Sequence, residues 1–130
     1  MIEVELSRII IDESRKDQII VFKEKQGSRT IPVIIGLNEA VAIRLQLNGF
    51  SSARPLTHDL LRGLIQSLGG QLEKVVIDNL VNNTFHSKLY LTVADNRTKI
   101  IDARPSDSVA LAVRMKSPIF VEEKVFDKLG

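Results

Sequence analysis

The sequence contains no cysteine and no tryptophan, and its aromatic residues are five phenylalanines and one tyrosine. The lack of cysteine excludes disulfide frameworks, thiolate zinc sites, iron–sulfur clusters and cysteine nucleophiles, and it fits a reducing, cytoplasmic setting. Because aromatic residues are so few, we expect an aliphatic core built from isoleucine, valine and leucine. The richness in isoleucine and the missing cysteine also favour a thermophilic source.

Excess charge of one sign and long apolar runs are also missing. Eighteen lysines and arginines stand against sixteen acidic residues, and the formal charge of +2 is too small to identify a nucleic-acid partner by itself. No apolar run approaches the roughly 20 residues of a membrane span, and acids occupy the N-terminal positions where a signal peptide carries bases. We expect a soluble cytoplasmic protein with no membrane partner.

Several sequence motifs of common enzymes are absent. The chain has no Walker loop, no GxGxxG, no GxSxG and no HExxH. This argues against nucleotide-dependent motors, dinucleotide oxidoreductases and the common serine and zinc hydrolases.

The length of 130 residues predicts one domain, residues 1–130. Alternating apolar residues predict a first strand over residues 2–11, whose phase changes at Ser7-Arg8 and so indicates a bulge. Residues 18–25 and 29–35 predict a hairpin in which Gly27 takes a positive φ. Pro32 places the second of these strands near a sheet edge.

Two helices are predicted next. The first covers residues 37–48, with Asn38 as N-cap and Gly49 at its end, and its almost uniformly apolar sequence predicts that it is largely buried. The second begins near Thr57 and ends at Gly69-Gly70. Its apolar stripe predicts one buried face and one wet face, and the stripe consists of Leu60, Leu61, Leu64, Ile65 and Leu68.

The second half of the chain repeats this order. Strands are predicted over residues 72–80, 85–94 and 98–103, with a two-residue turn at Asp95-Asn96 between the last two. A third helix begins with Ser106 as N-cap and ends before Pro118, and a short strand and a final helical turn to Leu129 follow.

A shift of the sequence by 68 residues superimposes the two hairpin turns and both helix starts without a gap. We interpret this as a βββαα unit used twice, with half-repeats at residues 2–68 and 70–130, although chance register of two ordinary hairpins would look the same. The predicted fold class is α+β, with mostly antiparallel strands and helices packed against them.

Residues that carry chemistry gather in two segments, 54–59 (RPLTHD) and 102–107 (DARPSD). Each follows the pattern Ala-Arg-Pro and then a helix start, where free backbone N–H groups favour an anion. Arginine adds a planar fork that suits phosphate oxygens. The pattern predicts that phosphate is bound by Arg54, Thr57, Arg104 and Ser106.

The same residues also have ordinary structural roles. Ser106 and Thr57 are common helix caps, Asp59 and Asp107 are common first-turn acids, and Arg104 would be a natural partner for a neighbouring carboxylate. The sequence leaves both interpretations open.

Of the two histidines, His86 lies on a predicted surface strand, whereas His58 is the better proton carrier. A hard divalent cation such as Mg²⁺ or Mn²⁺ is an optional cofactor. Its candidate ligands are Glu39, Asp59, Asp102 and Asp107.

Three stretches resemble, in this order, the bifunctional nuclease domain family: residues 31–36 (IPVIIG) leading into Asn38-Glu39-Ala40, residues 54–61 (RPLTHDLL) and residues 102–112 (DARPSDSVALA). The resemblance implies an α+β homodimer of bacterial or archaeal origin, able to degrade DNA and RNA, with its polar motif residues around a cleft. The matching positions are Glu39, Arg54, Thr57, His58, Asp59, Asp102, Arg104, Ser106 and Asp107. One departure, Ser108 where alanine is common, is not expected to affect the chemistry.

Two functions follow as expectations. In the first, the protein hydrolyses phosphodiester bonds of nucleic acid: the arginines bind phosphate, and His58 or a carboxylate of Asp59, Asp102 or Asp107 activates water. In the second, the protein is a non-catalytic dimeric module that binds a small anion, a nucleotide or a protein partner, as the low net charge and few aromatic residues favour.

Overall fold

The computed structural model of the chain describes residues 1–129 and contains one sheet with four helices. The strands are β1 (Ile2–Ile10), β2 (Asp17–Glu24), β3 (Thr30–Gly36), β4 (Gln71–Val81), β5 (Thr84–Val93), β6 (Arg97–Ala103) and β7 (Ile119–Val121). The helices are α1 (Leu37–Leu47), α2 (Thr57–Ser67), α3 (Pro105–Met115) and α4 (Glu123–Leu129).

The sheet is curled and mostly antiparallel, in the order β3-β2-β1-β7-β4-β5-β6. Only the pairing of β4 with β7 is parallel. Helix α3 contacts β4 and β5, and α1 contacts β2 and β3. The α+β prediction, with antiparallel strands and helices packed against them, is therefore confirmed.

The details of the strands match the predicted pattern in two places and differ in a third. The register of β1 against β2 shifts between Leu6 and Arg8, which is the predicted bulge. Pro32 lies in β3, an edge strand where its missing N–H costs no ladder bond. The predicted positive φ at Gly27 is wrong, because the left-handed glycines are Gly49 and Gly69. A Cβ at position 27 would meet the Glu24 carboxylate, so a larger residue there would have to displace that side chain from its bond with Arg29.

The predicted helix starts are displaced toward the N-terminus. Gly36 and Arg104 are the N-caps of α1 and α3, and Asn38 and Ser106, the predicted caps, lie inside these helices. The N-cap residues of α1, α2 and α3 make no side-chain cap hydrogen bond, although Asp59 in α2 accepts from the N–H of its N-cap, Leu56. The predicted ends at Gly49 and Gly69 are correct, and both glycines take the positive φ that follows a helix.

The burial of the first two helices differs from the prediction. In α1 only Ala40 and Ile43 are fully buried, because this helix touches β2, β3 and α3 along one side. Its other apolar residues are half-buried, apart from the exposed Leu47. The central helix is α3, which contacts both α1 and α2 and buries most of its residues. The apolar sequence of α1 therefore did not predict its burial correctly, because burial depends on whether a helix is flanked by other helices on both sides, as α3 is.

The stripe of α2 is divided between core and surface. Leu61 and Ile65 pack against the core. Leu60, Leu64 and Leu68 are 57%, 50% and 77% exposed, so the prediction of one continuous buried face is wrong. This exposed row, together with Leu56 one turn earlier, is called the leucine ridge below.

The element bounds agree with the proposed duplication. A shift of 68 residues carries residues 37–47 onto 105–115, the bounds of α3, and carries β2 and β3 onto β5 and β6 to within one residue. The same shift places Glu39 on Asp107. The duplication stays a proposal, and these correspondences support it.

Among the described residues, no helix is both long enough and apolar enough to cross a membrane.

Candidate active site

The first turns of three helices meet at one cavity of about 400 Å³. Helix α1 contributes Asn38 and Glu39, α2 contributes Thr57 and His58, and α3 contributes Arg104 and Asp107, and the floor is aliphatic. We call this space the helix-start cavity. It brings together two segments of chain that the sequence separates by almost 50 residues.

The helix starts supply backbone N–H donors to the cavity. Because the N-cap side chains of α1, α2 and α3 make no hydrogen bond, the N–H groups at the first positions of these helices are not used by them. Each helix start also carries a partial positive charge from the aligned peptide dipoles, and the first-turn acids Glu39, Asp59 and Asp107 offset part of it. These N–H groups are donors that a phosphate can bind.

His58, Asp107 and Arg104 form a continuous hydrogen-bonded chain in this cavity. Nε2 of His58 lies 2.9 Å from Oδ1 of Asp107, and Nε of Arg104 donates to Oδ2 of the same carboxylate at 3.0 Å. His58 is the one buried residue of α2. Its second ring nitrogen, Nδ1, has no hydrogen-bond partner within residues 1–129. With Nε2 held by a carboxylate, Nδ1 is the nitrogen that can accept a proton.

The charged groups of this hydrogen-bonded chain stabilise one another. Burial acts to raise the pKa of Asp107, but hydrogen bonds from His58 and Arg104 outweigh it and hold the pKa below its ordinary value. The Asp107 hydrogen bond in turn raises the pKa of Arg104. Asp107 is therefore an anion at neutral pH and positions both the imidazole and the guanidinium.

Arg104 lies between two carboxylates but remains accessible. Its Nη1 is 3.7 Å from Oε1 of Glu39, on the side away from the closer contact with Asp107. The Arg104 side chain is 67% exposed. The guanidinium therefore presents donors to solvent, where a phosphate oxygen can bind them.

Asp59 belongs to a different environment from the cavity. Its Oδ1 accepts from Nε of Arg114 at 3.0 Å, and its Oδ2 accepts from the N–H of Leu56 at 3.0 Å. The Arg114 side chain is only 2% exposed, so Asp59 neutralises a buried charge. Burial acts to raise the pKa of Asp59, and the Leu56 N–H and Arg114 lower it below its ordinary value. These contacts give Asp59 a structural role between α2 and α3.

Three other predicted site residues also lie outside the helix-start cavity. Asp102 is exposed on β6 and pairs with Lys88 at 3.2 Å. Arg54 is exposed in the loop before α2 and has no ion pair among the described residues. Ser106 is buried and lines a second, larger cavity on the other side of Arg104.

The four predicted metal ligands do not share one site. Asp59 and Asp102 are paired elsewhere with Arg114 and Lys88, and Arg104 lies between the remaining two, Glu39 and Asp107. Within residues 1–129, no three histidine, aspartate or glutamate side chains are grouped to hold a metal. A guanidinium between two carboxylates does not fit a divalent cation at that position.

The sequence did not indicate two further features. The first is the role of Arg114, for which the signal is a charged residue in the otherwise apolar run 109–115 that requires a buried partner. The second is the larger cavity, because its wall comes from β3, the turn between β4 and β5, and α3. The Asn82-Asn83 pair, where both residues have positive φ, signals the turn but not the cavity.

Comparison with known proteins identifies the family of this chain. The model of the bifunctional nuclease domain family matches residues 20–130. An uncharacterized protein of Mycobacterium tuberculosis is 42% identical over 128 residues, which cover 98% of this chain and 76% of the relative.

Plant relatives carry the nuclease name. Bifunctional nuclease 2 of Oryza sativa subsp. japonica is 30% identical over 118 residues, which cover 88% of this chain and 36% of the plant protein. Bifunctional nuclease 2 of Arabidopsis thaliana is 26% identical over 107 residues, which cover 80% of this chain and 32% of that protein. This chain thus spans about a third of these plant proteins. The family match over residues 20–130 and the mycobacterial relative confirm the predicted membership: the chain belongs to the bifunctional nuclease domain family.

Proposed function

We propose that this protein is a nuclease that hydrolyses phosphodiester bonds of DNA and RNA in the helix-start cavity. One observation carries the proposal: a buried histidine, an aspartate and an exposed arginine form one hydrogen-bonded chain where three helix starts converge. The names of the plant relatives support the same reaction.

Each residue of this hydrogen-bonded chain has a distinct role in the proposal. Nδ1 of His58 takes the proton of the water that attacks phosphorus, and Asp107 stabilises the imidazolium that forms. The P–O bond to one sugar oxygen breaks, and that oxygen takes up a proton from solvent. Arg104 binds a non-bridging phosphate oxygen and offsets the charge that develops in the transition state. Thr57, at the first position of α2, adds a hydroxyl near the same phosphate. No metal ion takes part in this scheme, because the grouped residues do not fit one.

The direct test is a cleavage assay with purified protein on single-stranded and double-stranded DNA and RNA, with and without EDTA. We expect cleavage that elutes with the protein peak. An Arg104→Ala, Asp107→Ala double variant is the control for contamination, because activity that survives it unchanged belongs to another nuclease. Loss of cleavage in EDTA would contradict the metal-free scheme.

The alternative function is the non-catalytic module that binds an anion, a nucleotide or a protein. The observation that favours it is the charge of the site, where the two carboxylates of Glu39 and Asp107 outnumber the one guanidinium of Arg104 and leave little positive charge for a phosphodiester transition state. Binding of nucleotides without turnover in the same assay would support the module. Cleavage that is lost when His58 is substituted would exclude the non-catalytic module.

We also propose that the protein is a homodimer and that a second copy packs on the leucine ridge. Leu56, Leu60, Leu64 and Leu68 are spaced four residues apart, and such a row forms one ridge along a helix. Under a twofold axis the ridge of one copy fits beside the same ridge of the other, which makes the face self-complementary. Exposed apolar patches of this kind are typical of interfaces.

A cytoplasmic location is part of the proposal and rests on the lack of cysteine. Fractionation of source cells tests it.

A further inference from the structure

A second cavity of about 670 Å³ lies beside the helix-start cavity, and Glu39 and Arg104 line both. Its other walls come from the end of β3, the turn between β4 and β5, and the first turn of α3. We call it the base cavity. Its volume falls in the range of small-molecule sites in proteins.

The wall of the base cavity is mainly aliphatic and includes one aromatic ring. Ile34, Ile35 and Leu80 line it together with Phe85, which pairs with Leu80 across the β4–β5 ladder. Ile34 is 65% exposed, which leaves a large apolar surface in contact with water at this position. A flat apolar ligand that covers this surface gains from its burial.

The polar groups at the cavity favour a nucleobase as its occupant. The carboxylates of Asp17 and Glu39 belong to the wall. They accept hydrogen bonds from the exocyclic amino groups of bases, and the amide of Asn83 can either donate or accept. An aromatic ring beside such groups resembles a stacking platform for a base.

We propose that the base cavity binds an unpaired nucleobase adjacent to the phosphodiester held by Arg104. This inference deepens the proposed function and rests on it. A base that is paired and stacked in a duplex cannot enter a cavity without leaving the helix, so single-stranded nucleic acid is the substrate class. The shared wall at Arg104 places the phosphate at the boundary between the two cavities.

The experiment uses the lack of tryptophan in this chain. Phe85→Trp introduces a single indole into the base cavity, and Phe50→Trp introduces one on the exposed loop after α1 as the matched control. We titrate both variants with adenosine 5′-monophosphate and with ribose 5-phosphate, which lacks the base. The expected result is saturable quenching of Phe85→Trp by the nucleotide only. Equal responses to both ligands, or equal quenching of Phe50→Trp, would overturn the proposal.

A second measurement compares Phe85→Leu and Phe50→Leu with the parent protein by fluorescence anisotropy on a labelled single strand and on its duplex. Loss of one stacking contact is expected to weaken single-strand binding by about 5- to 150-fold for Phe85→Leu and to leave Phe50→Leu unchanged. Circular dichroism confirms that both variants are folded. Unchanged single-strand affinity in folded Phe85→Leu, or equal affinity of the parent protein for the duplex, would contradict the inference.

Failure of this inference differs from failure of the proposed function. Cleavage that depends on His58 but is equally fast on duplex and single strand would contradict base binding in the base cavity and would still support the proposed nuclease function. Base-dependent quenching without any cleavage would support base binding in the base cavity and would contradict the proposed nuclease function.

Discussion

Nε2 of His58 lies 2.9 Å from Oδ1 of Asp107, although 49 residues separate the two along the chain. The contact joins the first turn of α2 to the first turn of α3, and Asp107 extends it to Arg104. The proton carrier and the anion-binding group of the proposed reaction are therefore linked through one carboxylate.

His58→Asn is expected to lower the cleavage rate by about 10²- to 10⁴-fold, because it removes the group that moves the proton. Asp107→Asn is expected to lower it as well, since it removes the charge that stabilises the imidazolium. Initial rates on a labelled single-stranded oligonucleotide measure both effects. The matched control is His86→Asn, an exposed histidine on β5, which should keep the parent rate. A His58→Asn protein as active as the control would exclude His58 as the proton carrier.

Arg104→Ala is expected to lower the cleavage rate by about 100-fold, because the developing phosphate charge loses its nearest cation. Arg104→Lys keeps the charge but loses the fork that holds Asp107, so an intermediate rate is expected. Separate measurement of kcat and KM distinguishes transition-state stabilisation from ground-state binding. Arg97→Ala, an exposed arginine at the start of β6, is the control. A change confined to KM would indicate that Arg104 only binds the substrate.

Asp59→Ala is expected to lower the free energy of unfolding by about 3 kcal/mol, because it leaves the buried Arg114 guanidinium without a carboxylate and with only the Ala110 carbonyl as partner. This lies at the lower end of the range for broken buried pairs, since the Asp59 side chain is 21% exposed. Urea denaturation measures the loss. Glu13→Gln, an exposed acid with no ion pair among the described residues, is the control. A loss no larger than that of the control would show that the pair contributes little.

The same pair predicts the direction of a pH effect. The pKa of Asp59 is lower in the folded protein than in the unfolded chain, where the pKa of an aspartate is about 3.9. Its contribution to stability is therefore present above that unfolded value and is lost as the pH falls through the folded value. Asp59→Asn should reduce the acid dependence of the unfolding free energy in this range. An unchanged dependence would mean that other carboxylates determine it.

Ser108→Ala is expected to cost about 1 kcal/mol of stability and no activity. Ser87 Oγ donates to the carbonyl of Ala103 at 2.6 Å, so the 2.7 Å contact between the two serines has Ser108 as donor. Removing Ser108 leaves the Ser87 bond intact. Ser87→Ala should cost more, because it leaves both the Ser108 hydroxyl and the Ala103 carbonyl without this partner. Thermal unfolding measures the stability that each variant loses. A larger loss for Ser108→Ala than for Ser87→Ala would contradict the assignment of Ser108 as the donor.

Leu64→Glu is expected to convert a dimer into a folded monomer, because it places a charge in the centre of the leucine ridge. Light scattering after gel filtration measures the mass. Ile10→Glu, which adds the same charge at an exposed position at the end of β1, should leave the mass unchanged. A monomeric parent protein, or a Leu64→Glu variant that remains dimeric, would rule out the ridge as the interface.

Local sequence patterns were sufficient to predict the order of strands and helices, the bulge after Leu6, the edge position of Pro32 and the family. These features depend on local spacing, on the special backbone of proline and glycine, and on motifs that are read directly from the chain. The segments that hold His58, Arg104 and Asp107 were also found in this way.

Which of the predicted site residues meet depends on how the helices pack in three dimensions. Asp59 and Asp107 look alike in sequence, as first-turn acids after an Ala-Arg-Pro segment. One neutralises the buried Arg114 and the other joins His58 to Arg104, because α2 and α3 are packed with these particular residues opposite each other. The leucines of α2 were divided between core and surface for the same reason. Local pattern gives a side chain its place on a helix, whereas its partner depends on how that helix packs against segments distant in the chain.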